Sequence, residues 1–403
     1  MRILVITNYY PPYFVGGYEL GCRDVVEGLS GCGHDVSVLT SVFGVGRPES
    51  RDGIYRWLET DLPSGSPGFT SDLPRLLVKE TRNRNAFNRL CRTFRPDVVY
   101  AWNLTYISVS SIFAAQRAGI PVCYFVSDVW LSQWESDSWV AQWNGEVEFS
   151  RRLLLSPLRL LLNLLGLLPK GMLDLRHVQF ASEYLKRTTL TAGKPVENAK
   201  VFHWGVDVAQ FRCLEKTSAP KRLLYVGQLI ASKGISTALE AFKLIVEQPR
   251  YRGLRLTVVG GPDYNSQVGR LISTMGIEQY VHLMGQKPRE ELPRIYREHD
   301  ILVFPSLWEE PFSITLLEGM ASGLAIVSTC TGGSGEILAD EENALIFPKG
   351  DAARCADQIL RLVNSPDLFE RVRNKGRQLV EDHFRIERMV EKIDCSLRDI
   401  AGV

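Results

Sequence analysis

The chain has few of the sequence marks by which metals, redox cofactors or nucleic acids are commonly held. Its eight cysteines (22, 32, 91, 123, 213, 330, 355 and 395) form no C-x-x-C pair and do not cluster with histidine. That argues against a zinc site or a disulfide framework and fits a reducing cytosol. No P-loop G-x-x-x-x-G-K-[ST] is present. No G-x-G-x-x-G follows the first strand-like run either; the order there is Gly16-Gly17-Tyr18-Glu19-Leu20-Gly21. The second such run, DVSVLTS (35–41), carries no acidic residue at its end to hold an adenosine ribose. A nicotinamide enzyme is therefore disfavoured. No D-x-D triplet occurs, so the sequence lacks a common metal grip on a diphosphate. A net charge of +1 gives no global field for nucleic acid.

Long apolar runs are also missing. The initial ILVIT is too short for a secretory signal, and no stretch of about 20 uncharged apolar residues exists to span a bilayer. The nearest is 153–168, LLLSPLRLLLNLLGLL, which is broken by Pro157, Arg159 and Asn163 and flanked by Arg151, Arg152 and Lys170. Two readings stand for it. One is a leucine-rich helix buried in its own domain. The other is a helix lying in the headgroup layer, a peripheral contact through 151–170 on the inner membrane face of a cytoplasmic protein.

What is present is a repeating alternation. With 403 residues, 45% hydrophobic and 23% charged, the chain has material for two or three soluble domains. Short apolar runs at 2–7, 35–40, 96–102, 121–126, 177–182 and 199–204 read as buried parallel strands. Helical patterns separate them near 18–30, 74–93 and 105–118. The alternation restarts with strands at 222–227, 254–260, 280–285, 300–305, 324–328 and 343–348. Its helices fall near 235–247, 264–275, 289–298, 314–322 and 352–363, and a helical tail follows from 366. The fold class is thus α/β, two Rossmann-like doubly wound domains facing across a cleft. The boundaries read as 1–207, with a last helix 384–403, and 208–383. A polar, strand-poor segment at 205–222 is the expected linker.

Ligands in such sheets bind outside the carboxyl ends of the strands, so the loops there carry the functional reading. The most informative is PSLWEEPFSITLLEGMASG (305–323). Ser313 can cap a helix whose first amides, those of Ile314 and Thr315 among them, lack helical partners at a positively polarised end. Such an end takes anions. Glu310 precedes it and Glu318 lies a turn inside, and carboxylates bind hydroxyls. The set suits a ligand that is part phosphate and part sugar. Glu309 leaves the register open.

Other loops add candidates. Gly16 and Gly17 allow close backbone approach. Gln228 and Lys233 follow the strand at 222–227, where a lysine acts as a point charge on a diphosphate. Gly261 and Gln286 follow the next two strands. Asp128, after 121–126, suits either a sugar hydroxyl or a helix cap. Trp102, Trp130, Trp134, Trp139 and Trp143 offer rings near the same edge, for sugar stacking or for the core.

Assembled, these residues resemble the family-4 retaining glycosyltransferases of the GT-B fold over essentially the whole chain. The E-x7-E motif from Glu310 to Glu318 is the most specific element. VGQLIASKG (226–234), WGVDVAQF (204–211), SEYLKR (182–187) and the Gly16-Gly17 loop support it. The resemblance implies that the C-terminal domain holds a nucleotide sugar donor, with Glu318 on the ribose and Glu310 on the sugar. The amides of Ile314 and Thr315, with Lys233, would hold the diphosphate. Phe312 and Ser313 complete that loop, and Gly16 and Gly17 would approach the phosphates.

The resemblance also implies an acceptor on the N-terminal domain, a saccharide or lipid-linked oligosaccharide, with no metal and no cofactor. On family prevalence the donor is UDP-glucose or UDP-N-acetylglucosamine. Gln228 stands where the family usually has arginine, and Ser127 where it often has histidine before an acidic residue. Both departures bear on catalysis, with Glu310, Lys233 and Asp128 the expected catalytic set. A sugar-nucleotide 2-epimerase of the same fold, a non-catalytic nucleotide-sugar binder and a membrane-surface scaffold are the rival readings.

Overall fold

A computed structural model describes all residues except 62–72, 145–155, 166, 169–170, 214–219 and 262–264. Parts of three expectations lie outside the described residues: the ends of the 151–170 stretch, the first position of the helix expected near 264–275, and 214–219 of the linker. The chain divides into two compact units, one of Met1–Phe202 with Val390–Val403, the other of His203–Met389.

The first unit is built on β1 (Arg2–Ile6), β2 (Asp35–Ser41), β3 (Glu49–Arg51), β4 (Ile54–Leu58), β5 (Val98–Ala101), β6 (Val122–Val126), β7 (Val178–Phe180) and β8 (Lys200–Val201). Among the described residues they form one sheet in the order β3-β4-β2-β1-β5-β6-β7-β8. Ile3, Leu4, Val5 and Ile6 are wholly buried. That is why β1 reads as an unbroken apolar run and not as an alternation: helices cover both faces of a parallel sheet. The order reverses between β1 and β5, which places the loops after those strands side by side. The Asn8 amide donates to the Asn103 carbonyl at 2.8 Å.

The ribbon β3–β4 is absent from the reading of the sequence. It is antiparallel, with Arg51 opposite Ile54. Asp52 and Gly53 between them have φ of 51° and 78°, the two left-handed positions of a two-residue hairpin turn. The helix expected from 105 begins instead at Ser110, because Tyr106 and Ser108 adopt φ of 71° and 74° and cannot continue a right-handed turn. Near the C-terminus, Asp394 accepts from His34 Nε2 at 2.6 Å, fixing Val390–Val403 within this unit.

The second unit carries β9 (Arg222–Val226), β10 (Arg255–Val259), β11 (Val281–Gly285), β12 (Ile301–Phe304), β13 (Ala325–Ser328) and β14 (Leu345–Ile346). Among the described residues they order as β11-β10-β9-β12-β13-β14, and every pairing is parallel. Helix Ile235–Val246 buries Leu239, Phe242 and Ile245 in the same core as Leu223, Val258 and Val303. Each such side chain contributes roughly 1.5–3 kcal/mol relative to exposure. The strand order reverses between β9 and β12. The loops leaving these two strands therefore diverge to opposite sides of the sheet and open a crevice at its carboxyl edge.

Candidate functional site

That crevice is where the two most specific sequence features meet. After β9 the chain runs through a short 3₁₀ turn, Ala231–Lys233, and then enters helix Ile235–Val246. After β12 it runs through Pro305–Phe312 into helix Ile314–Ala321. The amides of Leu307 and Trp308 donate to the Ser232 carbonyl at 2.9 and 3.0 Å, which clamps one loop to the other. Across this clamp Lys233 Nζ bonds both carboxylate oxygens of Glu310, at 2.8 and 2.9 Å. Ser306 Oγ donates to Glu310 Oε1 at 2.6 Å. Glu310 is buried while Lys233 remains partly open.

Glu309 points elsewhere. It is exposed, pairs with Lys349 and accepts from the Gly332 amide at 2.7 Å. The Lys349 bond holds its carboxyl below the usual range. Of the two neighbouring acids, Glu310 is the one that turns into the crevice. Ser313 Oγ accepts from the Leu316 amide at 3.4 Å, as an N-cap does. Ile314 and Thr315 open the helix behind it.

Glu318 lies one turn inside and is buried. Tyr296 donates to its Oε2 at 3.0 Å, and Arg289 Nη2 lies 3.8 Å from its Oε1. Burial pushes the Tyr296 hydroxyl well up, so it stays a donor. Gly261 and Gln286 are also brought together: a Cβ built on Gly261 would stand 2.9 Å from the Gln286 side chain. Gln228 sits between β9 and the Lys233 turn, its carbonyl accepting from Tyr225 at 3.0 Å.

Phe312 stacks on His203, ring centroids 5.4 Å apart and planes 30° off parallel. His203 Nε2 in turn meets Glu336 at 2.8 Å. Arg289, Tyr296, Ser306 and His203 escaped the reading of the sequence. Arg289, Tyr296 and His203 lie far along the chain from the motif they support, whereas Ser306 stands inside the 305–323 stretch, four residues before Glu310.

In the first unit the candidates are arranged differently. Gly16 precedes helix Gly17–Gly31, and its amide donates to Glu19 Oε2 at 3.0 Å, with Val15 donating to Oε1 at 3.2 Å. Glu19, unread in the sequence, thus occupies the amides of that glycine loop. Burial pushes its carboxyl up. Asp128 accepts from the Trp130 amide at 2.9 Å and from Asn103. Asp128 thus holds the first amide of the 3₁₀ turn Trp130–Ser136 from one position outside its N-cap, Val129. The five tryptophans are buried in the core, which corrects the expectation of rings offered to a sugar. Sequence places them near the edge, but burial of so much apolar area is worth more inside. The exposed indole is Trp308, beside Glu310.

Burial pushes the Asp128 carboxyl from 3.8 up to about 6. The folded chain thus binds this proton more tightly than the unfolded chain. Stability from the protonated form is whole below the unfolded value and is lost as pH rises through about 6. The loss is on the order of 3 kcal/mol. Thermal melts from pH 4 to pH 7 should show wild type falling relative to Asp128→Asn; parallel curves would remove the assignment.

Comparison with known proteins agrees with this architecture. The family model "Glycosyl transferases group 1" matches residues 209–379, and "Glycosyl transferase 4-like domain" matches 16–162. The amylovoran biosynthesis glycosyltransferase AmsK of Erwinia amylovora is 31% identical over 43% of this chain, a match that spans 44% of AmsK. Sucrose-phosphate synthase from Thermosynechococcus elongatus superposes with a TM-score of 0.73 at 18% identity, over 100% of this chain and 99% of that one. Anabaena HepE in complex with UDP and glucose gives 0.69 at 17% identity, over 99% and 100%. With each unit matched by its own family model and the whole length sharing one known architecture, the chain belongs to the family-4 glycosyltransferases of the GT-B fold.

Proposed function

We propose that this chain moves a hexose from a UDP-sugar, glucose or N-acetylglucosamine, to a saccharide or lipid-linked acceptor in polysaccharide biosynthesis, with retention at the anomeric carbon. The observation that carries the reading is the Lys233–Glu310 pair at the head of the Ser313-capped helix. An ammonium has three N–H donors. Two meet Glu310, and the third is assigned to a diphosphate oxygen alongside the amides of Ile314 and Thr315. Glu310 would accept from a donor-sugar hydroxyl, and Glu318 from the ribose. UDP is favoured because HepE was crystallised with UDP and glucose. Polysaccharide assembly is favoured by the role that AmsK's name gives it.

In the proposed step the bond from the anomeric carbon to the leaving phosphate oxygen breaks. The acceptor oxygen adds on the same face, and the departing phosphate takes its proton. The protein's work is then positioning and stabilisation of the charge that develops on the diphosphate. Lys233 and the helix end supply that charge without a metal.

The test is turnover with a panel of nucleotide sugars in the presence of EDTA, with the product's anomeric configuration read by NMR. UDP-hexose consumption that survives the chelator and gives a retained glycoside is expected. Inversion, or activity that needs a divalent ion, would sink the mechanism. Free epimerised sugar would point to the 2-epimerase reading. Donor binding without any turnover would favour a non-catalytic binder, a reading to which Gln228, uncharged beside the diphosphate position, lends its weight.

A further inference from the structure

Helix Ser156–Leu164 belongs to the first unit and contains none of the residues assigned to the donor. Leu162 is buried with Leu76, Trp139, Trp143 and Leu168, and Leu158 packs on the same cluster. These two leucines are one turn apart and define the inward face. At 100° per residue, Leu160, Leu161 and Leu164 fall on the side turned outward. On an ordinary surface helix that side is polar. Here Leu160 is 61% exposed, Leu161 51% and Leu164 77%, and Leu165, in the turn that follows, is 52% exposed. The expectation that this helix is buried in its own domain therefore holds for one face only.

The surroundings of this apolar ridge are cationic. Arg159 is exposed on the same helix. Arg84 donates to the Leu165 carbonyl, and Arg117 reaches the Leu168 carbonyl at 3.5 Å. The sequence from 151 to 173 contains no aspartate or glutamate. Among the described residues, no helix is long and apolar enough to cross a membrane. A single convex helix with leucines at its crest and arginines at its rim matches a surface that is apolar below and negative above. We infer that this face docks on an anionic lipid bilayer, the leucines entering the acyl boundary and the arginines meeting the headgroups.

The docking face stands on exposure and charge, independently of the donor site, and the experiment keeps the two apart. The full chain is floated with phosphatidylglycerol–phosphatidylcholine vesicles and with phosphatidylcholine vesicles alone. Wild type is expected to float with the anionic vesicles, and less so at high salt. Leu161→Glu/Leu164→Glu should cut the bound fraction about tenfold. Arg159→Glu should cut it about fivefold. Lys233→Ala, which addresses only the donor site, should float as wild type does. All substituted side chains on the helix are exposed, so circular dichroism and melting should match wild type. Wild type that stays in the aqueous fraction overturns the proposal. So does a glutamate pair that floats undiminished, or equal binding to neutral vesicles. A dimer seen by light scattering that the glutamate pair splits, with no flotation, would assign the face to a second copy and overturn it as well.

Discussion

Lys233→Ala is expected to lower turnover by about 10²–10³-fold while the chain stays folded, and Glu310→Ala by about a hundredfold. The two side chains come from loops on opposite sides of the strand-order reversal, yet they meet at 2.8 and 2.9 Å. On the proposed reading, the lysine is the one side-chain cation placed at the leaving diphosphate. Its removal takes away stabilisation that grows as the anomeric bond breaks, so kcat should fall more than KM rises. Loss of Glu310 releases Lys233 from its aim and removes a hydroxyl acceptor in the same stroke. The double variant should then be little worse than the poorer single one, because the two act as a unit.

Stability separates this from a merely structural pair. Lys233→Ala leaves the buried Glu310, among the described residues, with Ser306 as its remaining side-chain hydrogen-bond partner. A fully buried pair broken in this way costs about 3–5 kcal/mol. The Lys233 side chain is 26% exposed, so about 2 kcal/mol is the sounder expectation. The double variant should regain much of that stability and none of the turnover. Urea melts and steady-state kinetics on the three variants decide the matter. Wild-type rates in either single variant would remove both residues from the site.

Much of this arrangement is legible in sequence because it follows from strand order. Continuous apolar runs such as β1 and β6 announce themselves, and so do the loops at their carboxyl ends. Ser313 is readable as a cap because its chemistry is local. What sequence leaves open is whatever depends on which way a side chain turns. Glu309 and Glu310 are equivalent on paper; in the structure one is drawn outward by Lys349 and the other inward by Lys233. Asp128 shows its partners, the Trp130 amide and the Asn103 side chain, only in the folded chain.

Partners distant in sequence are also invisible there. Tyr296 and Arg289 reach Glu318 from the β11–β12 connection, and no spacing rule connects them. Asp52-Gly53 is a different case. The hairpin signal is present in the sequence, but the flanking strands are short and one of them, Glu49–Arg51, has all three residues exposed. It lacks the apolar alternation by which strands are found. The leucine-rich helix shows the converse. Composition identifies it as apolar, and only its packing shows which of its faces is exposed.

Gly234→Ala should be the most damaging small substitution in the second unit, and its cause lies in backbone geometry alone. Gly234 has φ of +71° and caps the turn that presents Lys233. A left-handed residue with a Cβ costs about 1–2 kcal/mol. In addition, the new Cβ would fall 1.8 Å from the Pro305 carbonyl oxygen, a rigid neighbour that leads into the Glu310 loop. Relieving that overlap by shifting backbone adds about 1–3 kcal/mol, for a total on the order of 4 kcal/mol and a drop of about 10 °C in Tm. Gly350→Ala is the control. It has φ of +73° in the same unit, with nothing within 4 Å of its added Cβ, so it carries the conformational cost without the collision. Gly234→Ala should therefore melt several degrees below Gly350→Ala and also lose turnover, because the segment that must move is the one that sets Lys233 against Glu310. If the two variants melted together and both retained full activity, the close approach of Gly234 to Pro305 would not be what holds the lysine in place.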